Sequence, residues 1–129
     1  MPVWNAPLTV WQRGLIVHEV GLAGGVLRVV EEACERDPFE RVSHLTLEVG
    51  VLSGVEVSSL RFALQAIVPG TCLAEAEIEI REPPATAWCL SCGRSVHIFS
   101  RLDLCPQCGA AQLEPTSGME LRVLDLRVI

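Results

Sequence analysis

The chain has 129 residues, enough for one compact core with a small module beside it. Half of the residues are hydrophobic and the formal charge is -6, which disfavours nucleic acid because backbone binding needs clustered Lys and Arg. No apolar run approaches the roughly 18 residues of a membrane span. The opening MPVWNAPLTVWQRGLI, broken by Pro2 and Pro7 with no basic segment ahead of it, does not read as a signal peptide, so a cytoplasmic protein without membrane contact is expected.

From Val20 to Arg36 the apolar residues Leu22, Val26, Val29, Val30 and Ala33 recur at helical spacing, with Arg28, Glu31, Glu32 and Glu35 opposite. Gly24 and Gly25 weaken this amphipathic helix by up to about 1 kcal/mol each, and Asp37-Pro38 ends it. VSHLTLEVG, 42 to 50, alternates as a half-buried strand, with Leu45, Leu47 and Val49 on one face and His44, Thr46 and Glu48 on the other. A glycine-punctuated loop leads into a second helix through Leu60, Ala63, Leu64 and Ile67, with Ser58 as the expected N-cap and Pro69-Gly70 as the stop.

AEIEIRE, 76 to 82, predicts a second strand closed by Pro83-Pro84. After a cysteine-rich stretch, MELRVLDLRV, 119 to 128, predicts a third. Its apolar phase switches from Met119, Leu121 and Val123 to Leu124, Leu126 and Val128, as a bulge near Val123 or a strand buried on both faces would produce. The expected fold is α+β: two helices on a small three-stranded mixed sheet, with an inserted four-cysteine zinc-ribbon domain. The implied units are an N-terminal extension 1-16, an α/β domain of 17-84 plus 117-129, and a zinc-binding domain of 85-116.

Cys89, Cys92, Cys105 and Cys108 form two Cys-x-x-Cys pairs twelve residues apart. In a reducing compartment this spacing favours structural Zn²⁺ over a thiol redox couple or iron. Gly93 and Gly109 follow the pairs and permit the positive φ that such turns demand. Four thiolates fill a tetrahedral zinc and leave no place for an activating water, so hydrolytic chemistry is not expected. His97 lies between the pairs as a surface or packing histidine, and Trp88 is expected to pack the module against the sheet. Cys34 and Cys72 read as small buried hydrophobes.

No Ser/His/Asp set, phosphate-cradling glycine loop or converging carboxylate pair emerges, so the chain does not read as an enzyme. His44 is expected on a solvent-facing strand surface. His18 stands with Glu19 directly ahead of the first helix.

VHEVGL, VSHLTLEVGVLSGVEVSSLRFAL, PGTCLAEAEIEI, C-x-x-C-G with C-P-x-C-G, and SGMELRV occur in this order over residues 17 to 129. In these motifs the chain resembles the HypA/HybF family of nickel metallochaperones in hydrogenase maturation. The resemblance implies delivery of Ni²⁺ as cargo to the large subunit of nickel-iron hydrogenase, and in some organisms to urease. It also implies a partner maturation GTPase of the HypB type, with a homodimer as a further possibility. A zinc-ribbon interaction or nucleic-acid-binding module is the alternative, which the acidic charge disfavours.

The family's nickel motif is an N-terminal Met-His-Glu. A histidine at position two joins its imidazole to the terminal amine and the intervening amide nitrogen, in the planar nitrogen geometry that Ni²⁺ favours. The matching residues here are Val17-His18-Glu19, so the resemblance assigns nickel to His18 and Glu19. Glu56 matches a position where some members carry an acidic residue near the metal. Sixteen residues precede the motif. A valine at the expected methionine is what a GTG start codon gives when read internally, so residues 1 to 16 are expected to lie upstream of the true start.

Overall fold

The computed structural model describes residues 21-129 in full, and the backbone alone of 3-4, 8-11 and 19-20. In chain order the elements are β1 (Val3–Trp4), β2 (Leu8–Trp11), α1 (Glu19–Arg36), β3 (Val42–Val49), α2 (Val57–Ile67), β4 (Glu77–Arg81), β5 (Ala85–Cys89), β6 (Arg94–Ile98), β7 (Leu113–Pro115) and β8 (Leu121–Val128).

The stripe of Leu22, Ala23, Val26, Val30 and Ala33 buries one face of α1, while Arg28, Glu31, Glu32 and Glu35 stay exposed. On α2 the equivalent stripe is Leu60, Ala63 and Leu64. Both helices pack into one core with Leu45, Leu47 and Val49 of β3, Leu73, and Leu121, Val123, Leu126 and Val128 of β8. Each fully buried aliphatic side chain contributes about 1.5–3 kcal/mol from loss of water contact.

The sheet beneath the helices has the expected mixed core: β3 pairs β4 in parallel and β8 antiparallel. It is wider than three strands. β1 pairs with Leu126 and Arg127, and β2 with Leu121 to Val123, along the other edge of β8. β8 is therefore a central strand. Its register against β3 jumps from Thr46↔Asp125 to Leu47↔Val123, leaving Leu124 without a partner. The bulge resets the alternation, and this is how Leu121, Val123, Leu126 and Val128 all reach the core despite the phase switch in the sequence.

The expected cap of α2 and the expected setting of His44 are corrected. The N-cap of α2 is Glu56, not Ser58. The longer glutamate side chain folds back to accept from Ser58 N–H at 3.2 Å and Ser59 N–H at 2.7 Å, and the Ser58 hydroxyl donates to the same carboxylate. His44 is not simply solvent-facing: its ring lies 3.7 Å from Glu77 and 4.0 Å from Glu79 on the neighbouring β4.

A second sheet, ordered β6-β5-β7 and wholly antiparallel, encloses its own small core of Ala85, Ala87, Cys89, Val96, Ile98 and Cys105. Trp88 does not pack this module against the first sheet; it is 44% exposed on the outward face of β5. Thr86 knits the returning chain to the module, its carbonyl accepting from Thr116 N–H and its N–H donating to the Ser117 hydroxyl. From the loop after β3, Val51 and Leu52 reach across into the second core. Among the described residues, no helix is long and apolar enough to cross a membrane.

Candidate metal centre

The first cysteine pair straddles the turn that leaves β5. Cys89 ends the strand, and its carbonyl accepts from Gly93 N–H at 2.9 Å while its sulfur accepts from Cys92 N–H at 3.4 Å. The second pair repeats the turn without a strand: Cys105 C=O accepts from Gly109 N–H at 2.8 Å, and Cys105 N–H donates to Ala110 C=O at 2.8 Å. Each closing glycine has positive φ, +67° at Gly93 and +76° at Gly109, as the spacing predicts.

The two turns face one another and all four sulfur atoms lie within 4.8 Å of each other. Cys89 Sγ is 3.6 Å from Cys108 Sγ, and Cys92 Sγ is 3.8 Å from Cys105 Sγ. Bonds of about 2.3 Å from one tetrahedral ion put its four sulfur ligands about 3.8 Å apart. The donor set therefore fits a four-thiolate site closely, and none of its members is in a disulfide.

The thiols are electrostatically unequal. Burial, reinforced by the sulfur atoms of Cys89, Cys105 and Cys108, pushes Cys92 up to about 12. Burial also opposes ionisation of Cys105, but the N–H groups of Cys108 and Gln107 and the neighbouring thiols outweigh it and bring that group down to about 7. Crowded thiols without a cation thus share their protons unevenly, and a dication relieves the crowding by taking all four as thiolates. His97 stands apart, exposed on the outward face of β6.

His18 lies outside the described residues, as does the side chain of Glu19, whose backbone opens α1. Glu56 is described, and both of its carboxylate oxygens are occupied by the α2 cap. Its hydrogen bonds to the hydroxyl and backbone N–H groups of Ser58 and Ser59 hold it down at about 2, so it is an anion throughout the physiological range. Near the site, sequence reasoning missed Glu56 as a cap and the reach of Val51 and Leu52 into the metal module. The second had a signal, two apolar residues side by side in a loop otherwise rich in glycine and serine.

A family model described as hydrogenase/urease nickel incorporation, metallochaperone, HypA, matches residues 17–128. The chain belongs to the HypA family. Curated relatives include a hydrogenase maturation factor HypA of Polaromonas naphthalenivorans, 51% identical over 112 residues that cover 87% of this chain and 97% of the relative. Another, from Cupriavidus necator, is 53% identical over 112 residues, covering 87% and 94%. The solution structure of the Ni metallochaperone HypA from Helicobacter pylori superposes with a TM-score of 0.63 at 17% identity, over 88% of this chain and 98% of that one. That likeness establishes a common fold. A HypA chain is a metallochaperone, not an enzyme, and its closed four-sulfur site accords with a metal that is held and not used for turnover.

Proposed function

We propose that this chain binds Ni²⁺ at His18 and Glu19 and passes it to the large subunit of nickel-iron hydrogenase in the cytoplasm, acting with a HypB-type maturation GTPase. Urease is a second recipient of the same cargo. The observation that carries the reading is the reach of the family match, residues 17–128, which begins on Val17-His18-Glu19. Nickel is then the cargo and the four cysteines hold resident Zn²⁺, in a unit of 85-116 set apart from a nickel-binding unit of 17-84 plus 117-129.

The chemistry supports such a division. An ion that must be handed on needs few protein ligands and an open coordination sphere, whereas four thiolates in two rigid turns retain theirs. His18 supplies the imidazole nitrogen and Glu19 a carboxylate or backbone donor. Glu56 joins as a nearby anion; to ligate directly it would have to release the amides of Ser58 and Ser59. Because the imidazole must be proton-free to bind, loading weakens as pH falls below about 6.5.

Metal analysis with nickel titration tests the assignment on three proteins: the full chain, its His18→Ala variant, and a chain shortened to begin at Val17→Met. Zinc stays near one per chain in all three. Nickel uptake collapses in His18→Ala and tightens in the shortened chain, whose terminal amine adds a nitrogen donor. Equal uptake by the full chain and His18→Ala would remove His18 from its role.

A further inference from the structure

The connection between β6 and the second cysteine turn, FSRLDL at 99 to 104, presents three large apolar side chains to solvent: Phe99 is 67% exposed, Leu102 91% and Leu104 57%. This is not a slack loop. The Asp103 carboxylate accepts from Phe99 N–H at 2.7 Å and Ser100 N–H at 3.2 Å; the Ser100 hydroxyl accepts from Leu102 N–H at 3.1 Å, and its carbonyl from Asp103 N–H at 3.1 Å. One end continues from Ile98 in the module core, and the other runs directly into the ligand Cys105. The turn is held rigid, and what it holds outward is hydrophobic.

From this turn we propose that the metal module serves as a docking knob for a transient protein partner, one offering an apolar groove bordered by carboxylates. Arg101 gives the turn its charge. It is exposed at the centre of the turn and makes no ion pair among the described residues, whereas Asp103 is turned back onto backbone amides.

Area and charge favour this occupant over the others. The three side chains expose roughly 400 Å², within the ~300–600 Å² of the largest patches on monomers, patches that are often functional. A contact centred there buries about 800 Å² in total, short of the ~1,200 Å² of a stable interface, as suits an encounter that must end in release. A second copy meeting the same turn across a two-fold would set Arg101 against Arg101. An anionic membrane would repel a chain of net charge -6, and recognition of its headgroups draws on clusters of about 4–8 cations where this turn has one. Pre-ordering lowers the entropic cost of binding, and because the turn ends on a metal ligand, that order depends on the metal. The knob gives a resident four-thiolate ion a purpose in a chain whose cargo is another metal; it is independent of where nickel sits.

Amide-resolved titration of the full, zinc-loaded chain with a soluble peptide alternating Leu and Glu tests this. Resonances of Phe99 to Leu104 should shift. Leu102→Asp should weaken binding about tenfold, as loss of a central anchor does. Arg101→Glu should weaken it several-fold and flatten its salt dependence, and a peptide alternating Leu and Lys should not bind. Nickel uptake by Leu102→Asp, measured in parallel, should be unchanged, which separates this inference from the nickel assignment. Equal binding of both peptides, or shifts that avoid the turn, would overturn it. So would uptake onto phosphatidylglycerol vesicles through Leu102, or a dimer in sedimentation that Leu102→Asp abolishes.

Discussion

Gly50 and Gly118 meet backbone to backbone where the two sheets join: a Cβ on Gly50 would fall on the carbonyl group of Gly118. Gly118, at φ +91°, has no more room, because its own Cβ would strike that of Ala85 at the start of β5. The approach lets Leu52 N–H reach Gly118 C=O and Gly50 N–H reach Glu120 C=O, both at 2.8 Å, so the loop after β3 and the segment before β8 are stitched together beside the metal module. Gly50→Ala pushes against backbone, which cannot swing aside as a side chain can. It should lower stability by about 1–3 kcal/mol, the range of overpacking changes, read as a shift of the urea midpoint. Amide exchange at Leu52 should accelerate in the same variant, since its acceptor is displaced.

Glu56 links acid pH to the start of α2. Its carboxyl is held at about 2 in the folded chain against an ordinary 4.5, because the ionised form accepts from the hydroxyl and backbone N–H groups of Ser58 and Ser59. A depressed pKa means that the folded state favours the anion. The contribution is therefore complete above about 4.5 and drains away as pH falls through about 2. The urea midpoints of the nickel-free wild type and Glu56→Ala should differ at neutral pH, and the gap should close between these values. A gap of constant width would mean that the carboxylate does not supply the cap.

How far the sequence disclosed this molecule depends on how local each feature is. The metal turns were legible because a Cys-x-x-Cys-Gly pair carries its own geometry: the ligand spacing and the positive φ lie within five residues. The bulge at Leu124 was legible as a break in period-two alternation, although its partners Thr46 and Leu47 were not. Glu56 escaped because short side chains are the usual caps, and a glutamate must loop back to do the same work. Trp88 could have been placed correctly from its phase, since it alternates with Ala87 and Cys89, which face the module core. The pairing of β1 and β2 with β8 is non-local and had no signature that outweighed the broken apolar run around Pro2 and Pro7.

The bulge permits a paired test on two leucines of one strand, two residues apart. Leu126 is fully buried among the helices, while Leu124 stands unpartnered at the register jump and only half-buried. Leu126→Ala should cost about 2–5 kcal/mol, the transfer of the lost atoms plus the cavity they leave. Leu124→Ala should cost clearly less by the same urea measurement. Equal losses would mean that Leu124 also faces the core and that the strand keeps a regular phase.

Metal removal should divide the molecule. The core of the second sheet is built around Ala85, Ala87, Val96 and Ile98 with two of the cysteines, and so few side chains cannot offset the ordering of its strands and cysteine turns at about 1–2 kcal/mol per residue. The ion must supply the balance, commonly ~10–16 kcal/mol in small zinc modules. Treatment with a strong chelator should therefore abolish amide protection across β5, β6 and β7 while the circular dichroism of α1 and α2 persists, because Leu45, Leu60, Leu64 and Leu126 form a separate core. Restoring Zn²⁺ in a weakly buffered solution at pH 7 should release protons. In the metal-free, unfolded module the thiols sit in the ordinary cysteine range, near about 8.5, so at pH 7 they are still largely protonated and must yield their protons to the metal. Acidification then competes with the ion for sulfur, so affinity should fall steadily as pH drops below neutrality, and Cys92→Ser should reduce the number of protons released along with the affinity.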